Sequence, residues 1–469
     1  MLPTLEAVLV AFHKHPSALV HLLDDDVETA YAVFGFASNF CISSLERADE
    51  LDLAPDRRAR LLAEAELQQS RGAFDPQLLG SYAEKQYKED LYYQFPHWSV
   101  TSQLRGPVEV GLDWNQTAGL YTNPQDKLPE DGLNALGATV QLGNGLWTDA
   151  RRTDLALARQ GVAMSRAEAQ LYNNKLLAKS AKAYWAWYAA HYKLNAYERA
   201  WMAALKVRAF TLATYEAGDA SAFDTLDANA LVSTYEVAYY RAKNEAVAAL
   251  YEASTFLWDD QQQPVLIAPG VVPAPQSPQW DGMQLPAWST HPFVQYNNAK
   301  ERQLELKVRL AAEYTRPKVS VGGALLFEGG PTNLSNIGAV TPENAVLKAK
   351  VEMPLFLREG RGYLKSQKIE LQRFEWERAD LETSWQREAE AVLSGAAALL
   401  NALEAARRNA SAMEQLLLAE QTKLRLGDSE LIKVNLRTGY YLKAVVDLLQ
   451  LEKELGAAQA RYWELVGGY

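Results

Sequence analysis

Apolar residues recur along this chain with two different periods, and the switch between them divides it into blocks. Val108, Val110, Leu112 and Trp114 alternate with Glu109, Gly111, Asp113 and Asn115, the period of two that gives a strand one apolar and one polar face. Leu136, Ala138, Val140 and Leu142 alternate in the same way with Gly137, Thr139 and Gln141, and Gln77 to about Lys88 is a weaker candidate. In the second half Val319, Val321, Leu325 and Phe327 share one face. Leu347, Ala349, Val351 and Met353 share another, set against Lys348, Lys350 and Glu352.

After each group of strands the pattern turns helical. From Asp149 to Tyr215 there is no proline and only one glycine, Gly161, while Ala, Leu, Lys, Arg, Glu and Gln dominate. That reads as one helix, roughly 100 Å long at about 1.5 Å per residue. Glu216-Ala217-Gly218-Asp219 is the turn, because glycine takes the left-handed conformation that ends a helix, and a return helix runs from Ala220 to about Trp258. Arg361 to Leu426, the turn Gly427-Asp428 and Ser429 to Val466 repeat the design. The expected organisation is therefore two repeats. Repeat 1 covers residues 1–258, with a helix, strands at about 77–142 and a hairpin at 149–258. A Pro- and Gln-rich linker at 259–288 follows, extended over the surface. Repeat 2 covers 289–469, with a helix, strands at about 318–356 and a hairpin at 361–466.

Alternation alone fits an ordinary antiparallel sheet with one wet face. The helices change the picture, since a helix several times the usual ~11 to 12 residues cannot bury its apolar stripe in a compact domain and needs parallel partners. Four or five visible strands are also too few to close a barrel, whose smallest common form has ~8. Symmetric association supplies both.

Composition narrows the function. The 469 residues, 48% hydrophobic and 22% charged, suffice for an ordered core. Lys+Arg 47 against Asp+Glu 58 leaves a net charge of −11, which disfavours nucleic acid as a partner. The single cysteine, Cys41, excludes an internal disulfide and a thiolate zinc cage and reads as a small packed residue. His13, His15, His21, His97, His191 and His291 show no metal spacing, and Asp24-Asp25-Asp26 point in different directions on a helix and read as solvated. No uninterrupted run reaches the ~18 to 20 apolar residues of a spanning helix, Ala32 to Ile42 coming nearest, so a helical membrane protein is not expected. A closed β-barrel is the remaining way to cross a bilayer. The opening MLPTLEAVLVAFHKHP has no secretory pattern, so either the chain is cytosolic or its signal is missing from this sequence. No GxSxG, P-loop or GxGxxG after a strand occurs, so no enzyme active site and no cofactor are expected.

The combination of these features resembles the TolC family of outer-membrane efflux channels over nearly the whole chain. His15-Pro16 and His291-Pro292 resemble the family's paired repeat openings. Phe74-Asp75-Pro76-Gln77 and Thr315-Arg316-Pro317-Lys318 resemble the prolines that lead each first helix into a strand. Met353-Pro354-Leu355-Phe356 with Gly360 and Gly362 resembles the exit into the long helix, where the first repeat has Gln141-Leu142-Gly143-Asn144-Gly145-Leu146 without the proline. The tips Tyr215–Ala228 and Leu426–Asn435 are similar to the family's glycine turns, and Ala460–Gly467 to its C-terminal signature. The segment from about Val27 to Asp52 is extra relative to that pattern and reads as an added helix packed at the bundle's waist, with a partner-binding element as the alternative.

The resemblance implies an α/β membrane protein: a homotrimer in which each copy gives four strands to a twelve-stranded outer-membrane barrel and its helices to a periplasmic coiled-coil tunnel. It implies docking onto a periplasmic adaptor and an inner-membrane pump, with export free of covalent chemistry. Asp224 then stands at the tip-aspartate position of the first repeat, with Asp227 one turn on, as gate or lining candidates; both also fit simple helix-start carboxylates. Lys433 stands where the family often has Asp, and it or Arg437 is a candidate partner for Asp224 or Asp227. Asn435 marks a variant branch, and Gly218, Asp219, Gly427 and Asp428 form the tips that meet the adaptor. Trp98, Trp114, Tyr92, Tyr93 and Tyr121 are candidates for an interfacial belt, and the run from Tyr184 to Trp201 reads as packing between subunits. The rival reading is a soluble coiled-coil scaffold with no channel activity.

Overall fold

The computed structural model describes residues 55–466 except 123–126, 260–262, 269, 275–279, 281–287, 331–340 and 342. His13, His15, His21, Asp24 to Asp26, Cys41, the His15-Pro16 opening and the extra segment 27–52 lie outside the described residues. The elements in chain order are α1 (Pro55–Gly72), β1 (Gln77–Tyr87), β2 (Asp90–Gln103), β3 (Val108–Asn115), β4 (Leu133–Gln141), α2 (Ala150–Glu216), α3 (Ala222–Ser254), α4 (Pro292–Glu313), β5 (Lys318–Glu328), β6 (Ala345–Glu352), α5 (Arg358–Arg425) and α6 (Leu431–Val466). They fall into two compact units: residues 55–169 with 292–382, and residues 170–291 with 383–469.

The first unit holds a single antiparallel sheet in the order β1-β2-β3-β4-β5-β6. Six strands stand where the residue pattern showed four or five and the resemblance implied four. The additional hairpin, β1–β2, turns through Lys88 and Glu89, both at positive φ (54° and 68°), the two-residue form whose twist matches its strands. β2 escaped the sequence reading because Leu91, Tyr92 and Tyr93 are consecutive and Pro96 interrupts the run, so no clean alternation survives. The two halves of the chain meet at β4 and β5, where Leu136 faces Leu325 and Val140 faces Val321. Glu313, buried at the end of α4, reinforces that junction. Its carboxylate accepts a hydrogen bond from the Gly145 N–H at 3.1 Å and pairs with Arg316 at 2.8 Å.

The second unit is helical. Trp187 of α2 packs with Ala183 and Ala190 against Ala246, Ala249 and Ala253 of α3. Trp185, Tyr188 and Ala189 on the adjoining face pack on Leu449 of α6, and Ala396 and Leu403 of α5 close on Leu455 of α6. Of the aromatic run assigned to contacts between subunits, Trp185, Trp187 and Tyr188 are buried within one chain, where their spacing serves two neighbouring helices at once, while Tyr184, Tyr192, Tyr197 and Trp201 stay partly exposed. The linker is not simply laid over the surface either. Pro273 is fully buried, its carbonyl accepts the Tyr192 hydroxyl at 2.9 Å, and the ring of Trp280 packs edge-on against Tyr462.

Among the described residues α5 is long and apolar enough by composition to pass for a spanning helix, contrary to the count of uninterrupted apolar runs. Averaging tolerates the Ser, Gly and Asn that break its Ala- and Leu-rich stretch, and a bundle helix has the same composition.

Candidate functional site

Directly paired residues of neighbouring strands lie on the same side of a sheet, so the registers assign the faces. One face carries Leu78, Gly80 and Tyr82, then Pro96, Trp98 and Val100, then Val110, Leu112 and Trp114. It continues through Leu136, Ala138 and Val140, then Val321, Gly323 and Leu325, to Leu347, Ala349 and Val351. Many of its large side chains stand in the open, Leu347 at 86% and Val351 at 72% among them. The other face carries Ser81, His97, Thr101, Glu109, Asp113, Thr139, Ser320, Lys348, Lys350 and Glu352. An exposed apolar sheet face of this extent marks contact with a membrane or another protein. A polar opposite face is what a lumen or water requires.

The aromatic candidates divide. Trp98 and Tyr121 are exposed, and the Tyr92 and Tyr121 rings meet at a tilt of 31° with their centres 4.5 Å apart. Trp114 is buried instead of lying at an interface: its Nε1 donates to the Gly329 carbonyl at 2.8 Å, and Asn134 Nδ2 donates to the same oxygen at 3.0 Å. The pair fastens the loop after β5 to the sheet.

The hairpin tips are built alike. Gly218 and Gly427 have φ of +87° and +79°, where a residue without Cβ is unstrained. Around each, the glycine N–H reaches back three residues, to Tyr215 O at 3.0 Å and Leu424 O at 3.1 Å. The following aspartates, Asp219 and Asp428, reach back five, to Thr214 O and Lys423 O, both at 2.9 Å. This pattern satisfies the last carbonyls of α2 and α5.

At the first tip Ser221 caps α3. Its hydroxyl accepts from the Asp224 N–H at 3.2 Å while the Asp224 carboxylate accepts from the Ser221 N–H at 2.8 Å, a reciprocal box. That backbone donor, helped by the Ser221 hydroxyl, holds the Asp224 carboxyl below its usual range. Asp227 is exposed. At the second tip Lys433 pairs with Glu430 at 3.8 Å, and Arg437 with Glu420 at 3.9 Å, while the Ser429 hydroxyl donates to Glu420. Within one chain neither cation meets Asp224 or Asp227, because each finds a carboxylate one helical turn away or on the facing helix. Glu420 was missed: a lone Glu in a helix full of charges carries no signal until the hairpin folds back. Asn435 is half-buried beside these pairs in sequence. Exposed apolar side chains surround the turns, with Phe223 at 75% and Leu426 at 78%, and with Leu226, Ile432 and Leu436 also in the open.

No family model matches the chain, and no curated protein matches it by sequence. Its three-dimensional likeness is nonetheless extensive. The CmeC outer membrane channel of Campylobacter jejuni superposes with a TM-score of 0.64 at 12% identity, over 89% of this chain and 83% of that one. The outer membrane protein VceC of Vibrio cholerae gives 0.64 at 14%, over 91% and 96%. The MtrE outer membrane channel of Neisseria gonorrhoeae in its open state gives 0.63 at 16%, over 92% and 89%. The chain has the TolC-like fold. Within that fold, the tip turns and the two-faced sheet are the parts whose chemistry is open to reading residue by residue, and among the described residues no cluster of His, Cys, Asp and Glu fit to hold a metal occurs.

Proposed function

We propose that the chain is an outer-membrane channel, the passive exit duct of a tripartite efflux or secretion system. In this reading three copies share one barrel, the apolar sheet face meets outer-membrane lipid, and the helices stand in the periplasm. The two halves of the chain act as structural repeats. The observation that carries the reading is the exposed apolar face running across the whole sheet, opposed by a polar one and joined in sequence to helical hairpins of 67 and 68 residues on their leading arms. Gly218, Asp219, Gly427 and Asp428, ringed by Phe223, Leu226, Leu426, Ile432 and Leu436, form the surface for a periplasmic adaptor working with an inner-membrane pump. Asp224, Asp227, Lys433, Asn435 and Arg437, now with Glu420, are the gate candidates.

Light scattering on the detergent-solubilised protein, corrected for bound detergent, tests the assembly. Three chains of 52.2 kDa give about 157 kDa, and reconstitution into planar bilayers should yield discrete conductance steps. A monomer that stays soluble without detergent would instead establish the scaffold reading. For the gate, Arg437→Ala releases Glu420 and should raise open-state conductance; an unchanged conductance removes Arg437 from the gate.

A further inference from the structure

Among the described residues, both outer strands of the sheet have a free edge. β1 and β6 are exposed at every residue and pair on one side only, β1 with β2 and β6 with β5. Their unpaired N–H and C=O groups cannot be left in lipid, where each would cost several kcal/mol. Six strands are fewer than the ~8 of the smallest common barrel, so one copy cannot close the sheet on itself. The strand count is even and every neighbouring pair is antiparallel, so β1 and β6 run in opposite senses, and an edge-to-edge joint between copies would continue the antiparallel ladder. The faces also agree: Leu78 and Tyr82 of β1 lie on the same side of the sheet as Leu347 and Val351 of β6, and Ser81 on the same side as Lys348 and Lys350.

We propose that the β1–β2 hairpin is part of the barrel wall. The β6 edge of one copy pairs with the β1 edge of the next, so that three copies close eighteen strands and not twelve. This rests on the channel reading above and adds to it the size of the exit. Barrel diameter grows roughly linearly with strand number, so the bore is about 1.5 times that of a twelve-stranded wall, in the range where porins keep an open aqueous lumen. The hairpin also places His97 on the lumen side beside Asn115, whose Oδ1 lies 2.7 Å from its Nδ1.

Thiol cross-linking in outer membranes of expressing cells tests the joint. In a Cys41→Ser background, Ser81→Cys is combined in turn with Val346→Cys, Lys348→Cys and Lys350→Cys, which covers the alternative registers on the polar face. Asp113→Cys on β3 is combined with the same three. The proposal expects at least one Ser81 combination to give covalent dimers and trimers on a non-reducing gel, and the Asp113 combinations to give none. Trimers from Asp113 combinations alone would mean that β3 is the edge of a twelve-stranded wall and β1–β2 lies off it, overturning the proposal while leaving the channel reading intact. Covalent oligomers from neither set, in a protein that light scattering shows to be monomeric, would overturn the shared barrel itself.

Discussion

Gly456 of α6 lies under the indole of Trp185 of α2, so close that a Cβ at 456 would stand 2.5 Å from Cδ2 of the ring and overlap its Cγ and Cδ1. The contact lets a large aromatic ring lie directly against the backbone of the facing helix, where only a residue without Cβ leaves it room. Gly456→Ala should therefore destabilise the helical unit by about 1 to 3 kcal/mol despite the better helix propensity of alanine. Thermal unfolding followed by circular dichroism reads this directly. Pairing it with Trp185→Leu, which vacates the ring's place, should recover part of the loss, whereas two independent, additive losses would show that the indole is not what the new methyl meets.

The same region should be sensitive to alkali. Burial pushes the Tyr184 hydroxyl up to about 12. Burial first, and then the neighbouring Glu452 carboxylate, raises Tyr188 as well; its hydroxyl donates to Glu452 at 3.1 Å, and Arg407 faces that carboxylate at 3.6 Å. A raised folded-state pKa stabilises below the unfolded value of about 10 and loses that contribution as pH climbs through the folded one. Melting temperature should accordingly fall between about pH 10 and 12, and Tyr184→Phe with Tyr188→Phe should flatten the decline. An equally steep profile in the double variant would assign it to other groups.

Acid acts at the other end of the helices. Asp224 is held below the ordinary carboxylate range, so its part in the capping box is complete above about pH 4 and is lost as pH falls through its folded value. Hydrogen exchange of the first turn of α3 should quicken with acidification in that window. Ser221→Ala should produce the same fraying already at neutral pH, at a cost of about 1 kcal/mol to local stability. Identical exchange in the variant and the parent would show that the box does not hold the tip.

Glu313→Ala leaves the Gly145 N–H and Arg316 without their shared acceptor, and the vacated site is buried. The expected loss is about 1 to 3 kcal/mol, concentrated where the chain leaves β4 for α2. Protease cleavage near residues 142–149 of the folded protein should increase; resistance equal to the parent's would argue that the backbone bonds from Leu142 to Val319 O and from Asn144 to Pro317 O, both 2.7 Å, suffice alone.

Much of this architecture could be read from residue patterns because helices and turns depend on local choices. The proline-free run from Asp149 stops where Gly218 permits positive φ, and α2 ends at Glu216. Clean alternation likewise located β3, β4, β5 and β6. What escaped depends on partners distant in sequence. β2 is recognisable only by its pairing with β1 and β3, since Pro96 and adjacent aromatics blur its period. Trp114 looks like an interfacial residue until Gly329, more than two hundred positions away, supplies a carbonyl for its indole N–H. The ion pairs of Lys433 and Arg437 follow from which carboxylates the folded hairpin brings near, and spacing along one helix does not reveal that choice between Glu420 and the aspartates of the other tip.

The pairing of β4 with β5 also sets an order of events in biogenesis. The two strands are separated by residues 142–317, so the β4 edge away from β3 has no partner of its own chain until the second half is available to pair. Ladders joining such distant segments form slowly, and exposed strand edges invite pairing with whatever chain is nearby. A chain of this design therefore exposes that edge of β4 to its own copies until β5 arrives, after which, among the described strands, only the outer edges of β1 and β6 remain open to a neighbour.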